Sequence, residues 1–229
     1  MKYFRYILTA MALVLTTAWC VETEAKEVEE VDIYDLSLDD NLLTPVPENE
    51  KVTANLRKFQ DDFSRMLEQN YKNFKVEIMR DGEVIVFTVP ASNLFASNEM
   101  ELSKEAEVIL EPLLRFIEVP GMFKMMLVMH HCGNLGNDQY ALDITTGRVN
   151  SVFDWIESHG SVDYVVPYAL GNTDASVDDD GNKIDNDSAE NRKINRRLEI
   201  YLVPEQGLLD LCRKGRPKEN DVLRKSKKK

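Results

Sequence analysis

The chain has 229 residues, of which 43% are apolar, and its formal net charge at pH 7 is -12. This length and apolar content are enough for one domain with a buried core, and they exclude a chain that is disordered throughout. For a chain of this charge we expect no nucleic-acid partner, and nothing in its composition predicts a cofactor.

The first twenty residues have the composition of a targeting segment. Lys2 and Arg5 supply a positive start, residues 6–15 are apolar, and small residues follow. The apolar run is shorter than the roughly 20 residues that a membrane-spanning helix needs. We therefore predict a signal peptide or a lipoprotein signal over residues 1–20.

The three cysteines leave two questions open. Cys20 is where a bacterial lipoprotein carries its lipid-modified cysteine, so it is a candidate lipidation site. Trp19, however, is larger than the residue that usually precedes that cysteine, and cleavage after Ala18 is the alternative. An exported compartment permits a disulfide between Cys132 and Cys212, provided that the fold brings them within bonding distance.

Residues 21–50 contain eleven acidic residues and a single basic one, which predicts a self-repelling, extended linker. Apolar residues then recur at three- and four-residue spacing and predict an amphipathic helix over residues 53–70. An Asp-Gly turn predicts a hairpin of strands 74–79 and 84–89. The sequence leaves open whether residues 51–83 join the core or form a separate arm.

Two helices and three strands complete the predicted elements. Ser103 is the expected N-cap of the first helix, and Pro112 should bend that helix or end it early. The continuous apolar run Met125–Met129 predicts a strand buried on both faces. The predicted ranges are 103–117 and 144–158 for the helices, and 125–129, 164–166 and 198–203 for the strands. This order predicts an α+β fold with helices packed on a mixed sheet.

Two stretches carry unusual residue patterns. The first, Asn191–Ile200, places four cationic side chains within six residues and then alternates as a strand. Alone, such a run is typical of a solvated basic turn before an edge strand. The second comprises Met129–Gly136 at a predicted strand end and Ile144–Val152 on a predicted helix.

Together these stretches resemble the OmpA-like peptidoglycan-binding domain. In that family a strand ends in Gly-His-Thr-Asp-x-x-Gly, a helix carries Leu-Ser-x-x-Arg-Ala-x-x-Val, and the domain closes with Gly-Arg-x-x-Asn-Arg-Arg-Val-Glu-Ile. The closing motif matches closely, the helix motif keeps its arginine as Arg148, and the strand-end motif is eroded. The resemblance covers Val84–Val203 and implies a divergent member, with a β/α/β/α/β-β sandwich over residues 84–204.

The resemblance also implies a ligand site. In the family, an aspartate holds the ammonium of the diamino acid in the peptidoglycan stem peptide, and the helix arginine holds its carboxylate. Here Gly133 stands at the aspartate position and Ala141 at that of a family asparagine, while Asp138 is a candidate substitute for the lost charge. The candidate ligand-binding residues are therefore Arg148, Gly133, Asn134, Ile144, Asp138 and Arg196.

Two charged segments flank the last strand. The insertion 174–190 clusters carboxylates beside Gly181, where either a calcium site or a solvated loop is expected. Residues 205–229 are predicted to be a basic tail, because Cys212–Lys229 carries nine basic and two acidic side chains. Such a tail is either a flexible solubilising segment or one that docks on an anionic surface, on its own domain or on a polyanion.

The sequence contains no hydrolase motif, no phosphate-binding glycine loop and no zinc-protease motif, so we expect no enzyme and no catalytic residue. His130, His131 and Cys132 are adjacent, but neighbours on a strand point to opposite faces, which disfavours a shared metal.

Two functions are consistent with these observations. The first is a non-enzymatic cell-envelope protein whose domain contacts peptidoglycan and anchors the outer membrane or an envelope complex to the cell wall. It would lie on the periplasmic side of the outer membrane, held by lipid or by a partner protein. The alternative is a domain of the same fold that has lost peptidoglycan binding and acts as a structural component of an envelope assembly. The oligomeric state, including a homo-oligomer, is left open.

Overall fold

A mixed five-stranded sheet organises the chain. The computed structural model describes residues 49–70, 74–79, 84–132, 138–160, 164–173, 175–178 and 181–222. The strands are β1 (Lys75–Met79), β2 (Val84–Pro90), β3 (Phe123–His130), β4 (Val165–Gly171) and β5 (Arg197–Pro204). Their order across the sheet is β1-β2-β5-β3-β4, with β3 and β4 parallel and every other neighbouring pair antiparallel. The predicted hairpin and the predicted α+β fold with a mixed sheet are confirmed.

Helices cover one face of this sheet. They are α1 (Glu50–Asn70), α2 (Lys104–Leu110), α3 (Leu114–Ile117), α4 (Asp138–His159), α5 (Ala189–Asn195), α6 (Gln206–Lys214) and α7 (Glu219–Val222). Alternate residues of the three central strands, such as Phe87, Leu127 and Ile200, enter the main core with the apolar faces of the helices. The intervening strand residues, including Val86 and Tyr201, form a smaller cluster on the other face.

Helix α1 belongs to the main core, which answers the question that the sequence left open about residues 51–83. Its buried residues include Phe59 and Phe63, whose rings stack at a centroid distance of 5.0 Å. Phe63 also contacts Phe116 edge-to-face at 5.3 Å, and Phe116 contacts Phe123 at 6.0 Å. These aromatic contacts join α1 to α3 and to the start of β3.

The predicted cap and bend in the segment between β2 and β3 are both present. The Ser103 hydroxyl accepts a hydrogen bond from the Ala106 amide at 3.2 Å, which satisfies a donor in the first turn of α2. Pro112 lies in a 3-10 turn, Glu111–Leu113, that separates α2 from α3. The helix therefore changes its geometry where the sequence predicted an interruption.

The segment predicted to be a basic tail is instead largely part of the fold. Helix α6 buries Leu208, Leu209 and Cys212 completely in the main core, and Val222 of α7 is equally buried. The side chain of Asn55 in α1 donates to the Cys212 carbonyl at 2.9 Å. A flexible tail is therefore wrong for residues 206–222, because their apolar side chains complete the core beside α1. Residues 223–229 lie outside the described part.

Cys132 and Cys212 are free thiols, both buried, so the structure contains no disulfide between them. Burial raises the pKa of the Cys212 thiol to about 11. The predicted signal segment with Cys20, and almost all of the predicted linker, lie outside the described residues. Among the helices that are described, none is long and apolar enough to cross a membrane.

Candidate functional site

A pocket of about 350 Å³ lies between helices α4 and α5, the loop that follows β2, and the end of β3. Its described lining includes three cationic side chains, those of Arg148, Lys193 and Arg196, and no carboxylate. The Ala91 amide donates to the Arg196 carbonyl at 2.8 Å, which ties the β2 wall of the pocket to the start of β5. The pocket therefore lies at one end of the sheet, and the charged side chains that line it are all positive. We call it the cationic pocket.

Arg148 is the most constrained of the three cations, with only 6% of its surface exposed. Its Nε donates to the Glu99 carbonyl at 2.9 Å and its Nη2 to the Ala96 carbonyl at 3.3 Å. The guanidinium carbon lies 5.0 Å from the centre of the Phe95 ring, within cation–π range. The loop after β2 thus holds the guanidinium from two sides through neutral groups.

A glycine lies where α4 approaches this loop closely. A Cβ on Gly147 would lie 2.3 Å from the Met100 sulfur, so no larger residue fits there without displacing that side chain. Gly147 directly precedes Arg148, and Met100, which it faces, directly follows Glu99. The absent side chain therefore lets the helix approach the carbonyls that Arg148 contacts.

The charge of Arg148 has no partner carboxylate among the described residues. Burial lowers the pKa of Arg148, because desolvation disfavours the charged form, and the nearby Arg196 lowers it further against an opposing effect of Tyr140. An arginine nevertheless stays protonated at neutral pH. The pocket thus contains a buried positive charge that no described carboxylate neutralises.

His131 adds a neutral polar group to the pocket. Its Nδ1 donates to the Cys132 carbonyl at 2.8 Å, and its ring contacts Tyr140 edge-to-face at 6.2 Å. Burial lowers the pKa of His131, its hydrogen bond to Cys132 acts in the opposite direction, and Arg148 and Arg196 lower the pKa again. The imidazole is therefore mainly uncharged at neutral pH.

The basic run before β5 divides into structural and pocket-lining side chains. Arg192 donates to the carbonyls of Asn186 at 2.8 Å and Asp187 at 3.1 Å, so it holds the chain that leads into α5. Arg196 donates from Nε to the Arg192 carbonyl at 3.1 Å while it lines the pocket with Lys193. Only two of the four cations of this run therefore reach the pocket.

The fourth cation of the run, Arg197, lies in a separate buried network. Its Nε donates to Glu199 Oε1 at 2.6 Å. Glu199 Oε2 accepts from the Tyr201 hydroxyl at 2.7 Å and from His130 Nε2 at 3.2 Å. Burial alone would raise the pKa of Glu199, but the hydrogen bond and charge of His130, and then those of Arg197, hold it well below the ordinary range.

The acidic insertion before α5 is organised by local hydrogen bonds. Asp178 Oδ1 accepts from the Asn182 amide at 2.8 Å around Gly181, whose φ is 82°. Asp185 Oδ1 accepts from the Asp187 amide at 3.0 Å and from Asn191 at 2.8 Å, and these bonds lower the pKa of Asp185. In the described part of the chain, no three His, Cys, Asp or Glu residues come together as a metal site would require.

Three of the six predicted ligand-binding residues lie at the cationic pocket. Arg148, Arg196 and Ile144 line the cationic pocket. Asp138 begins α4, where its Oδ1 accepts from Asn172 at 3.0 Å, and it is not among the lining residues. Gly133 and Asn134 lie outside the described residues.

Sequence reasoning missed three contributors to the pocket, namely Lys193, His131 and the loop of residues 95–98. Lys193 belongs to the basic run, but the direction of its side chain depends on where α5 ends. His131 belongs to the eroded strand-end motif, in which no pattern distinguishes it as a pocket residue. The loop that holds Arg148 has no charged side chain at residues 95–98 to mark it in the sequence.

The fold is similar to that of a MotB-like protein from Desulfovibrio vulgaris, with 18% identity over 68% of this chain and 98% of that chain, and a TM-score of 0.56. A cell wall anchor of the T6SS from Pseudomonas aeruginosa is 22% identical over 66% of this chain and 97% of that chain, with a TM-score of 0.48.

The periplasmic domain of Helicobacter pylori MotB is 15% identical over 62% of this chain and 88% of that chain, with a TM-score of 0.47. The likeness to the Desulfovibrio vulgaris protein shows a shared fold. No family model matches the sequence. No curated protein matches it either.

Proposed function

Since the chain has a divergent OmpA-like fold, we propose that it is a non-enzymatic cell-envelope protein whose domain contacts peptidoglycan. In this role it anchors the outer membrane or an envelope complex to the cell wall. The observation that supports the proposal most directly is Arg148, a buried cation in an open pocket with no carboxylate partner among the described residues.

The chemistry of the cationic pocket matches one part of a stem peptide, its carboxylates. A guanidinium offers parallel donors that fit a carboxylate in a bidentate manner, and Arg148 is held in place before any ligand arrives. Lys193 and Arg196 add positive charge at the same opening. A carboxylate bound there would neutralise charge that the described carboxylates leave uncompensated.

The proposal also includes a location and a tether. A signal segment over residues 1–20 would direct export, and lipid on Cys20 or contact with a partner protein would hold the domain on the periplasmic side of the outer membrane. The acidic linker would then give the domain reach toward the cell wall.

Co-sedimentation of the purified chain with isolated sacculi tests this function. We expect the wild-type chain to pellet and the Lys193→Ala and Arg196→Ala variants to pellet much less, because each removes a pocket charge. Lys214→Ala is the matched control, since this exposed lysine lies in α6, beyond the opposite end of β5. Equal pelleting of all four proteins would exclude the cationic pocket as the contact site.

One observation favours a second function, a structural component without affinity for the cell wall. Gly133 and Ala141 replace two polar positions of the family motif, so half of the expected ligand clamp is absent. If the wild-type chain stays in solution with sacculi while Gly133→Asp pellets, the fold is intact and the ligand has been lost. The domain would then be expected to bind other proteins of an envelope assembly.

A further inference from the structure

The charge balance of the cationic pocket differs from that needed to bind a diamino acid. Three of its lining side chains are cationic, and His131 is mainly neutral. Residues 133–137, which follow β3 in the sequence and lie outside the described residues, are Gly-Asn-Leu-Gly-Asn and include no charged residue. Asp138 is bonded to Asn172 and does not line the pocket. No described carboxylate is therefore placed to pair with a ligand ammonium.

The remaining polar groups of the pocket are neutral. The lining includes Ser92, Ser97 and Asn98 beside the cations. Asn98 Oδ1 accepts from the Tyr140 hydroxyl at 3.3 Å, which directs the amide side chain. Hydroxyl and amide groups form hydrogen bonds with a neutral amide, whereas an ammonium in the same place would face like charges with no carboxylate to offset them.

We infer that the cationic pocket selects a carboxylate ligand whose neighbouring amine is acylated, over the same ligand with a free ammonium. This inference rests on the proposed function and specifies its ligand class. In a peptide wall, a diamino acid carries an acylated side-chain amine where its amine has been used for a cross-link. The pocket accordingly binds cross-linked stem peptides in preference to stem peptides with a free amine.

A matched pair of small ligands tests the selectivity directly. Diaminopimelate carries two carboxylates and two ammonium groups, while its N,N'-diacetyl derivative keeps the carboxylates and has neutral amides instead. Isothermal titration of each into the purified full chain should give a dissociation constant about tenfold lower or more for the diacetyl form. Acetylation removes two like charges that would lie near the three pocket cations, and a difference of about 1.4 kcal/mol corresponds to that factor. Pimelate, which has no amine, separates the effect of charge from that of the acetyl groups.

Variants of the pocket show whether the selectivity arises there. Lys193→Ala and Arg196→Ala should each weaken binding of the diacetyl form severalfold, and Lys214→Ala should leave it unchanged. Gly133→Asp restores a carboxylate at the family position and should shift the preference toward free diaminopimelate. The comparison of the two ligands on the wild-type chain stands even if Gly133→Asp fails to fold.

The outcomes separate this inference from the proposed function. Equal or tighter binding of free diaminopimelate by the wild-type chain overturns the inference, and pelleting with sacculi would still support the function. Binding of neither ligand also overturns the inference. Preference for the diacetyl form without pelleting supports the pocket selectivity and rejects the anchoring function.

Discussion

Arg148 and Arg197 are both almost fully buried, with 6% and 3% of their surface exposed, yet their surroundings differ completely. Arg197 donates to Glu199, which also accepts bonds from Tyr201 and His130, so its charge is neutralised inside the fold. Among the described residues, Arg148 donates to two backbone carbonyls and contacts an aromatic ring, with no carboxylate partner.

The difference shows that burial of a cation does not by itself indicate that the cation binds a ligand. A buried ion pair satisfied by its own neighbours is a structural network that needs no ligand. A buried cation held by neutral groups beside an open pocket retains charge that an anion can neutralise. The distinction depends on compensation of charge, and it can be tested separately at each arginine.

The largest expected effect comes from making Arg197 resemble Arg148. Glu199→Gln removes the carboxylate that pairs with the buried Arg197 guanidinium. We expect the free energy of unfolding to fall by about 3–5 kcal/mol, the usual cost of removing one partner of a buried pair. Urea denaturation monitored by circular dichroism measures this loss.

The matched control for this variant is Glu77→Gln. Glu77 pairs with Lys75 at 2.8 Å, but both side chains are about half exposed or more, at 48% and 64%. We expect a loss below about 1 kcal/mol there, because water screens exposed pairs. A loss at Glu199 no greater than at Glu77 would contradict the structural role of the buried network.

Acid tests the same network without a mutation. The pKa of Glu199 lies well below its ordinary value of 4.5, so the unfolded chain takes up a proton that the folded chain does not. This carboxylate therefore contributes its full stability above pH 4.5, and that contribution is lost as the pH falls below it. Thermal unfolding at a series of acidic pH values should show a drop in Tm that is reduced in Glu199→Gln.

A smaller effect on stability is expected at the other arginine. Arg148→Met removes two hydrogen bonds to carbonyls and the contact with Phe95, but it leaves no unpaired charge behind. We expect the free energy of unfolding to fall by about 1–2 kcal/mol. Binding to sacculi should be lost in the same variant. If Arg148→Met were as unstable as Glu199→Gln, the two arginines would not differ in the way proposed.

The smallest expected effect is a pH dependence at His131. Burial, together with Arg148 and Arg196, lowers the pKa of His131 below its ordinary value of 6.5 against the opposing Cys132 hydrogen bond. The unfolded chain therefore binds a proton first, and stability declines as the pH falls below 6.5. Chemical denaturation at pH values on either side of 6.5 should detect this change, and His131→Gln should remove it.

Most elements of the fold were predictable because their signals are short-range. The Asp-Gly turn predicted the β1–β2 hairpin, Ser103 predicted the start of α2, and Pro112 predicted its interruption. Helix α6 was missed because its apolar residues lie in a charged segment, and their partner α1 is distant in the chain. The Asn55–Cys212 hydrogen bond joins residues 157 positions apart, which no local pattern reveals.

The candidate site was predictable only in outline. Arg148 and Arg196 were identified from the motifs that resemble the OmpA-like family, and both line the pocket. Lys193 and Arg197 belong to the same basic run but lie in different surroundings, the first at the cationic pocket and the second beside Glu199. The reason is that α5 ends at Asn195 and β5 begins at Arg197. That change of geometry leaves Lys193 at the pocket and directs Arg197 toward Glu199.

The sequence by itself determined the elements of the sheet, the cap of α2 and the presence of a cationic run, since hydrophobic period, turn chemistry and charge are local properties. Only the tertiary structure decided which buried cation is neutralised. Arg148 contacts carbonyls 49 and 52 positions away, and Glu199 meets His130 from 69 positions away. Compensation of charge depends on such contacts across the fold, because it is set by distance in space and by exclusion of water.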